Sequence, residues 1–75
     1  MIDTVEISKR AEKEILKLPS HIQKKLRLWV HDVEKLGLNE VQKIPGYHDE
    51  PLKGERKGQR SIRLNIAYRA IYTIR

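Results

Sequence analysis

Apolar positions recur with a helical period in the stretch that follows Pro19. Six residues of this stretch share one face of a helix: Ile22, Leu26, Trp29, Val30, Val33 and Leu36. A stripe of this width is typical of an amphipathic helix whose apolar face is buried. Ser20 is suited to cap the start of the helix, and Gly37 is suited to end it. We therefore predict a helix over residues 20–36, with the charged residues of its outer face exposed to solvent.

Two further elements are predicted before this helix. Apolar and polar residues alternate over residues 2–7, and several are β-branched, which indicates a short strand. Ser8 then supplies an N-cap, and the apolar residues of the stretch 9–18 fall on one helical face until Pro19 stops the pattern. We expect this first helix to form an antiparallel hairpin with the second one.

The C-terminal third predicts a loop followed by two strands. Residues 38–44 allow one more helical turn, and the stretch PGYHDEPLKGERKG (45–58) contains two Pro and three Gly, which indicates a loop without core residues. Residues 59–65 alternate strictly, and residues 67–74 form a second extended run. About two residues separate these runs, so we predict a β-hairpin that turns near Asn65 and Ile66.

These elements define a fold class. The predicted order is β-α-α-β-β, without an internal repeat or an interdomain linker. A helical hairpin has an apolar face to bury, and a small antiparallel sheet offers a matching one. We therefore expect an α+β fold in which the helical hairpin packs on one face of the sheet. A chain of 75 residues is expected to form a single domain over residues 1–75.

The positive charge of the chain is concentrated near its C-terminus. Residues 1–50 carry nine Lys or Arg and nine Asp or Glu, whereas residues 51–75 carry seven and one, so the whole excess of +6 lies in the last third. A neutral body with a basic C-terminal third is typical of a protein that binds a polyanion or an acidic protein. Nucleic acid is the leading class of target.

Several kinds of chemistry are excluded by composition. The chain has no Cys, which excludes disulfides, thiolate metal sites and cysteine nucleophiles. The run His48–Asp49–Glu50 places metal-ligand types side by side, but no His-x-x-x-His or Cys pair supports a metal site. We expect no metal and no other cofactor. No signal peptide and no apolar run of about 20 residues is present, so we expect a cytoplasmic protein.

Arginine residues fall on the strands of the predicted hairpin. If Ile62 packs towards the core, Arg63 points to the opposite face of the sheet, and Arg69 can join it from the next strand. Two guanidinium groups on rigid strands are suited to phosphate, because each can donate a pair of hydrogen bonds to one phosphate group. The alternative is an ordinary solvated strand face.

Four runs carry a resemblance to a known family. EPLKG is followed by a short basic segment that contains Gly, then by RSIRL and AYRAIY. Preceded by a strand and a helical hairpin, these runs resemble the RelE/ParE superfamily of toxins from type II toxin–antitoxin modules. They are most similar to the RelE, YoeB and HigB branches, which are ribosome-dependent mRNA endonucleases, or mRNA interferases. Those relatives use no metal and inhibit translation by directing a ribose 2′-hydroxyl at the adjacent phosphate.

The resemblance implies catalytic roles for four residues. Arg69 in AYRAIY matches the arginine that stabilises the transferring phosphate, and Arg63 in SIRL matches a second catalytic cation. Lys53 in PLKG matches a lysine that is important in the HigB-like branch. Glu50 in EPLK matches the glutamate general base of the YoeB-like branch, with His48 as an alternative base because its ordinary pKa suits proton transfer near neutrality.

Further residues are expected to bind RNA without taking part in the chemistry. They are cationic or titratable residues of the loop and of the strand that follows it: His48, Arg56, Lys57 and Arg60. His21 and His31 lie in the predicted helical hairpin, and we expect them to be surface residues.

The chain departs from the family at its C-terminus. Relatives continue with a further strand whose Tyr or His serves as general acid or base, whereas this sequence ends at Arg75. The acid therefore has no assigned residue, and Tyr68 and Tyr72 are expected to pack in the sheet rather than to replace it. We expect a truncated toxin with weak or no cleavage of its own.

The resemblance also implies partners and alternative functions. The expected partners are mRNA on the ribosome and a cognate antitoxin, whose acidic segment would order as it binds. A homodimer and a toxin–antitoxin hetero-oligomer are both compatible with the sequence. The alternatives are a ParE-like inhibitor of DNA gyrase and an RNA- or antitoxin-binding module that has lost catalysis, because fold does not decide function.

Overall fold

The computed structural model describes residues 1–75 and belongs to the α+β class. Three α-helices come first: α1 (Lys9–Leu16), α2 (Ser20–Leu36) and α3 (Leu38–Val41). Three strands follow: β1 (Glu50–Pro51), β2 (Gln59–Arg63) and β3 (Arg69–Thr73). Short 3₁₀ turns lie at Pro45–Tyr47 and Gly54–Arg56. The chain divides into a helical unit, Met1–Val41, and a sheet unit, Gln42–Arg75.

Helix α1 starts where its cap predicts. The Ser8 hydroxyl oxygen accepts a hydrogen bond from the Ala11 amide at 3.1 Å, which satisfies one of the free N–H groups of the first turn. The last turn tightens, because the amides of Lys17 and Leu18 each bond to the carbonyl three residues earlier. The α-helix therefore ends at Leu16, two residues before the predicted end.

Helix α2 has the predicted bounds, but the residue predicted to cap its start is wrong. Pro19 occupies the N-cap position, and no side chain caps the helix, so Ser20 is the first helical residue. Proline is tolerated here because its missing N–H would have no partner at a helix start. At the other end Gly37 adopts φ +83, a backbone conformation that side chains with a Cβ rarely adopt.

The helical unit has its own buried residues. They are apolar side chains of α2 and α3: Ile22, Trp29, Val33, Leu38 and Val41. Residues 2–7, predicted as a strand, form no strand. The Ile2 carbonyl accepts a hydrogen bond from the Leu38 amide at 2.7 Å instead. An alternating pattern is compatible with extended backbone, but a strand also requires a neighbouring strand to pair with. No helix of the chain has the length and hydropathy needed to cross a membrane.

The sheet is antiparallel, with the order β1-β2-β3, so β2 is the central strand. Strands β2 and β3 confirm the two predicted C-terminal strands, with somewhat shorter bounds. Strand β1 was not predicted. It pairs Glu50 with Ser61 and Pro51 with Arg60, and Pro is tolerated on an edge strand because its missing N–H can face away from the ladder.

The turn between β2 and β3 is longer than predicted. The last strand pair is Arg63 with Arg69, which leaves residues 64–68 for the turn instead of two residues. The Asn65 side-chain oxygen accepts hydrogen bonds from the amides of Ala67 and Tyr68, both at 2.8 Å. This side chain closes the turn without glycine, because asparagine can bond to the backbone two and three residues ahead.

The loop before the sheet does contain a core residue, contrary to prediction. Tyr47 is only 3% exposed although it lies in the Pro- and Gly-rich stretch. Local composition predicted the turns there correctly, but it did not reveal that the loop packs against the sheet unit's own central strand, which the 3₁₀ turn at Pro45–Tyr47 contacts.

The two serines at the helix starts provide a matched pair for testing the caps. Ser8→Ala should lower the free energy of unfolding by about 1 kcal/mol, because the Ala11 amide loses its acceptor. Ser20→Ala should change it by less than about 0.5 kcal/mol, because that hydroxyl caps no helix. Urea denaturation measures both values, and equal losses would contradict the assignment of the caps.

Candidate nucleic-acid interface

Arg63 and Arg69 are direct partners across the β2–β3 ladder. The Leu64 amide donates to the Tyr68 carbonyl at 2.9 Å, so that neighbouring pair is hydrogen-bonded. Hydrogen-bonded and non-hydrogen-bonded pairs alternate in an antiparallel ladder, which places the two arginines in a non-hydrogen-bonded pair. In such a pair the Cα atoms approach to about 4.5 Å and the side chains leave the same face of the sheet. The predicted convergence of these two arginines on one face is confirmed.

Other strand residues share that face, which we call the arginine face. Ser61 lies two residues before Arg63 on β2, and its partner on β1 is Glu50. Side chains that are two residues apart on a strand, or that are directly paired across strands, leave the same side of the sheet. The arginine face therefore carries Glu50, Ser61, Arg63 and Arg69.

Ser61 fixes the position of one guanidinium group. Its hydroxyl oxygen accepts a hydrogen bond from Arg69 Nη1 at 3.1 Å, diagonally across the ladder. Ser61 itself is 3% exposed, whereas Arg69 is exposed. The hydrogen bond holds Arg69 over the sheet and uses only one of its five N–H groups, so the others remain available to a ligand.

The arginine face has an unbalanced electrostatic environment. No carboxylate forms an ion pair with either Arg63 or Arg69. Like charges directly opposite each other on a sheet are destabilising, and this pair cannot lose its charge because guanidinium stays protonated. An anion placed between the two groups would relieve the repulsion and accept hydrogen bonds from both.

Glu50 approaches the arginines from the other edge of the sheet. It lies on β1, level with Ser61 and Ile71, whereas Arg69 lies on β3 two residues before Ile71. Two interstrand spacings and two residue rises therefore separate the backbones of Glu50 and Arg69, by about 12 Å. Ser61 on the central strand lies between them. The arrangement places an acceptor and two donors on one surface of the sheet.

The remaining predicted binding residues lie in exposed loops. Lys53, Arg56 and Lys57 are exposed around the 3₁₀ turn that joins β1 to β2. His48 is also exposed and follows the 3₁₀ turn at Pro45–Tyr47 in a left-handed conformation with φ 46. His tolerates this conformation better than most side chains. None of these four residues is part of the sheet, so they can contribute charge near the arginine face but not rigid geometry.

Arg60 lies on the opposite face of the sheet from Arg63, because the two are three residues apart on one strand. Its Nε donates to Asp49 Oδ1 at 2.6 Å, with 27% of the Arg60 side chain and none of the Asp49 side chain exposed. A buried carboxylate left without its partner is strongly unfavourable, so this arginine is held internally. We therefore leave Arg60 out of the interface.

Asp49 is the centre of a hydrogen-bond network that sequence reasoning missed. Its second oxygen accepts a hydrogen bond from the Tyr72 hydroxyl at 2.6 Å, and that hydroxyl accepts one from Gln42 Nε2 at 3.1 Å. Burial, followed by the hydrogen bond to Asp49, raises the pKa of Tyr72 to about 12. The hydrogen bond to Asp49 is also the main cause that raises the pKa of Arg60.

A sequence signal for part of this network did exist. Alternation along β3 places Tyr72 on the face opposite Arg69, and the register makes it the direct partner of Arg60. When a tyrosine lies opposite an arginine on a half-buried face, a nearby hydrogen-bond acceptor is expected, because a buried hydroxyl needs a hydrogen-bond partner. Nothing in the local sequence identifies Asp49 as that acceptor.

Comparison of the chain with protein-family models, with curated proteins and with solved structures finds no match in any of the three. Within the structure, no group of three or more His, Cys, Asp or Glu residues is arranged to hold a metal ion.

Replacing one arginine of the pair tests whether the two repel each other. Arg63→Gln should raise the free energy of unfolding by about 0.2–1 kcal/mol at low ionic strength, because it removes a like charge from a direct cross-strand pair. The gain should shrink as salt is added, since exposed charges are screened. Urea denaturation at low and at high salt gives the comparison.

Lys57→Gln is the control for Arg63→Gln. It removes one exposed cation from a loop position that has no strand partner, so its effect on stability should be smaller and of the same size as other surface changes. If Lys57→Gln stabilised the protein as much as Arg63→Gln does, general charge repulsion would explain both, and the specific pair would not be strained.

The raised pKa of Tyr72 predicts that the protein loses stability at alkaline pH. Its folded pKa of about 12 lies above the unfolded value of about 10, so the unfolded chain releases this proton first. Its contribution is complete below about pH 10 and is lost as the pH rises towards 12. The release of one proton can change the stability by at most ~1.4 kcal/mol per pH unit, and the effect of Tyr72 should be smaller because the residue is partly exposed.

Tyr72→Phe isolates this contribution from those of other alkaline groups. The slope of stability against pH between 10 and 12 should be shallower in the variant than in the wild type, since phenylalanine has no proton to release. Denaturation curves recorded across this range provide the slopes. Parallel slopes for the two proteins would show that Tyr72 titrates normally.

Proposed function

We propose that this protein is the toxin of a type II toxin–antitoxin module and acts as a ribosome-dependent mRNA endonuclease, like the RelE, YoeB and HigB toxins that it resembles in sequence. One observation carries the proposal: Arg63 and Arg69 form a close pair on the arginine face and neither has a carboxylate partner. A protein that tolerates such a pair has a use for an anion at that position. The concentration of positive charge in residues 51–75 favours a polyanion.

The arginine pair suits the phosphate at which an RNA chain is cut. When the ribose 2′-oxygen attacks the adjacent phosphorus, negative charge grows on the phosphate oxygens before the bond to the 5′-oxygen breaks. A guanidinium group that is already held above the sheet meets this charge with less reorganisation, and donors arranged in advance are the most effective kind. The hydrogen bond from Arg69 to Ser61 provides part of that rigidity.

Glu50 is suited to be the general base. It shares the arginine face and is exposed, so a substrate ribose can approach it. In this proposal it takes the proton of the 2′-hydroxyl, and the new bond to phosphorus closes a 2′,3′-cyclic phosphate. The bond between phosphorus and the 5′-oxygen breaks, and a water molecule delivers a proton to that oxygen. Lys53 lies in the loop that follows β1 and adds a cation near the same phosphate.

The proposal extends to fold and partners. The RelE/ParE-like arrangement is the finer form of the α+β class described above. An antitoxin would silence the protein by placing acidic side chains over the arginine face, where they would satisfy the charges that otherwise bind RNA. The substrate, mRNA on the ribosome, would place the protein in the cytoplasm.

Mapping of mRNA 5′ ends after induced expression tests the proposed reaction. Translated messages should acquire new ends with 5′-hydroxyl groups, and untranslated RNA should stay intact. Intact mRNA together with damaged DNA would instead favour inhibition of gyrase, and would overturn the proposal.

Arg69→Ala should lower the single-turnover rate of cleavage on programmed ribosomes by about 10²–10³, because the phosphate loses a fixed donor in the transition state. The matched control is Arg56→Ala, which removes an exposed arginine from the loop and should cause a smaller loss, mainly in RNA affinity. Both variants should remain folded by circular dichroism. Cleavage by Arg69→Ala at the wild-type rate would exclude the role given to this residue.

A further inference from the structure

Strand β1, which presents Glu50, is too short to hold its own register. It contains two residues, and one of them is Pro51, which has no N–H to donate. The Leu52 amide donates to the Gln59 carbonyl at 2.9 Å, so alternation makes Glu50 and Ser61 the next hydrogen-bonded pair. A ladder with so few bonds needs support from side chains.

Register on this strand decides what the arginine face contains. Successive side chains of a strand leave opposite faces, so a slip of one residue would move Glu50 away from the arginines and bring its neighbour to them. Asp49 is that neighbour, and it is bound on the opposite face by Arg60 and Tyr72. The two partners belong to two different strands and are themselves directly paired.

We propose that Asp49 is a positioning residue: its buried contacts with Arg60 and Tyr72 lock β1 in the register that holds Glu50 on the arginine face. The Asp49 side chain is completely buried and both of its oxygens are bonded at 2.6 Å. Because a buried ion pair recovers little net stability, its main effect is to select one arrangement over its alternatives. Turning the side chain outward would leave the arginine and the tyrosine without their acceptor.

Part of this inference rests on the proposed function, because it gives Glu50 the role of the base. The lock itself does not depend on that role and can be measured without RNA. Ser61 and Ile62 are neighbours on β2, but alternation directs the amide of Ser61 towards β1 and the amide of Ile62 towards β3. Their hydrogen-exchange rates therefore report separately on the two sides of the central strand.

Asp49→Asn is the principal variant for hydrogen exchange measured by NMR. The variant keeps the size of the side chain but removes its charge. It also replaces one acceptor oxygen with an NH₂ group, which cannot accept a hydrogen bond from Arg60 or Tyr72. The Ser61 amide should exchange at least about tenfold faster than in the wild type, because β1 loses buried contacts worth about 1.4 kcal/mol or more that attach it to the other two strands. The Ile62 amide should be unchanged, because the β2–β3 ladder keeps its own pairs. If the two amides exchanged equally faster, or if neither exchanged faster, the proposal that Asp49 holds the register of β1 would be overturned.

Two other variants complete the exchange experiment. Glu55→Gln removes the same charge from an exposed residue of the loop and should leave both amides at their wild-type rates. Tyr72→Phe removes one of the two contacts to Asp49 and should give a smaller acceleration of Ser61 alone. If Asp49→Asn does not fold, Tyr72→Phe decides the question by the same two amides.

Cleavage kinetics then test the connection to Glu50. Asp49→Asn should lower the single-turnover rate at saturating protein by at least about tenfold, because a displaced base no longer reaches the 2′-hydroxyl. The affinity for RNA should stay within about twofold, because the arginines lie on the separate β2–β3 ladder. Unchanged cleavage, or a loss confined to affinity, would show that Asp49 does not act through Glu50. Absence of cleavage in the wild type would overturn the proposed function and leave the exchange result to decide the lock.

Discussion

The two ladders of β2 are the constraint on which the sheet unit depends. As the central strand, β2 directs alternate backbone groups to β1 and to β3, and it sends alternate side chains to the two faces of the sheet. Its five residues therefore decide together which side chains meet. Ser61 and Arg63 belong to the arginine face, whereas Arg60 and Ile62 belong to the other face, next to Tyr72.

The two faces of this sheet differ in whether their arginines have a carboxylate partner. On one face Arg60 is bonded to a buried carboxylate that also accepts a tyrosine hydroxyl, so the polar groups there satisfy one another. On the other face Arg63 and Arg69 are held close together without an acid between them. A local conflict of this kind is expected more often at functional sites than elsewhere in a fold. In the proposed function, the RNA phosphate would supply the missing partner.

Much of the fold could be predicted from local patterns. The apolar stripe and Gly37 predicted the bounds of α2, Ser8 predicted the start of α1, and alternation predicted β2 and β3. The failures share a cause. The segment 2–7 has the pattern of a strand but pairs with none, β1 has no pattern of its own, and the turn after β2 is closed by the side chain of Asn65. In each case the alternation of apolar and polar residues did not contain the hydrogen bonds that decided the outcome.

The sequence by itself determined the helices, the two long strands, the charge of the last third and the face of β2 that carries Arg63. It did so because helical and strand periods sort side chains within one element, and local residues are sufficient for that. Only the tertiary structure decided that Arg63 meets Arg69 in a non-hydrogen-bonded pair, and that Asp49 binds Arg60 and Tyr72, residues 11 and 23 positions further along the chain. The physical reason is that register and buried polar contacts depend on which strands pair and on how the turns between them close, and no periodic pattern along one strand contains that information.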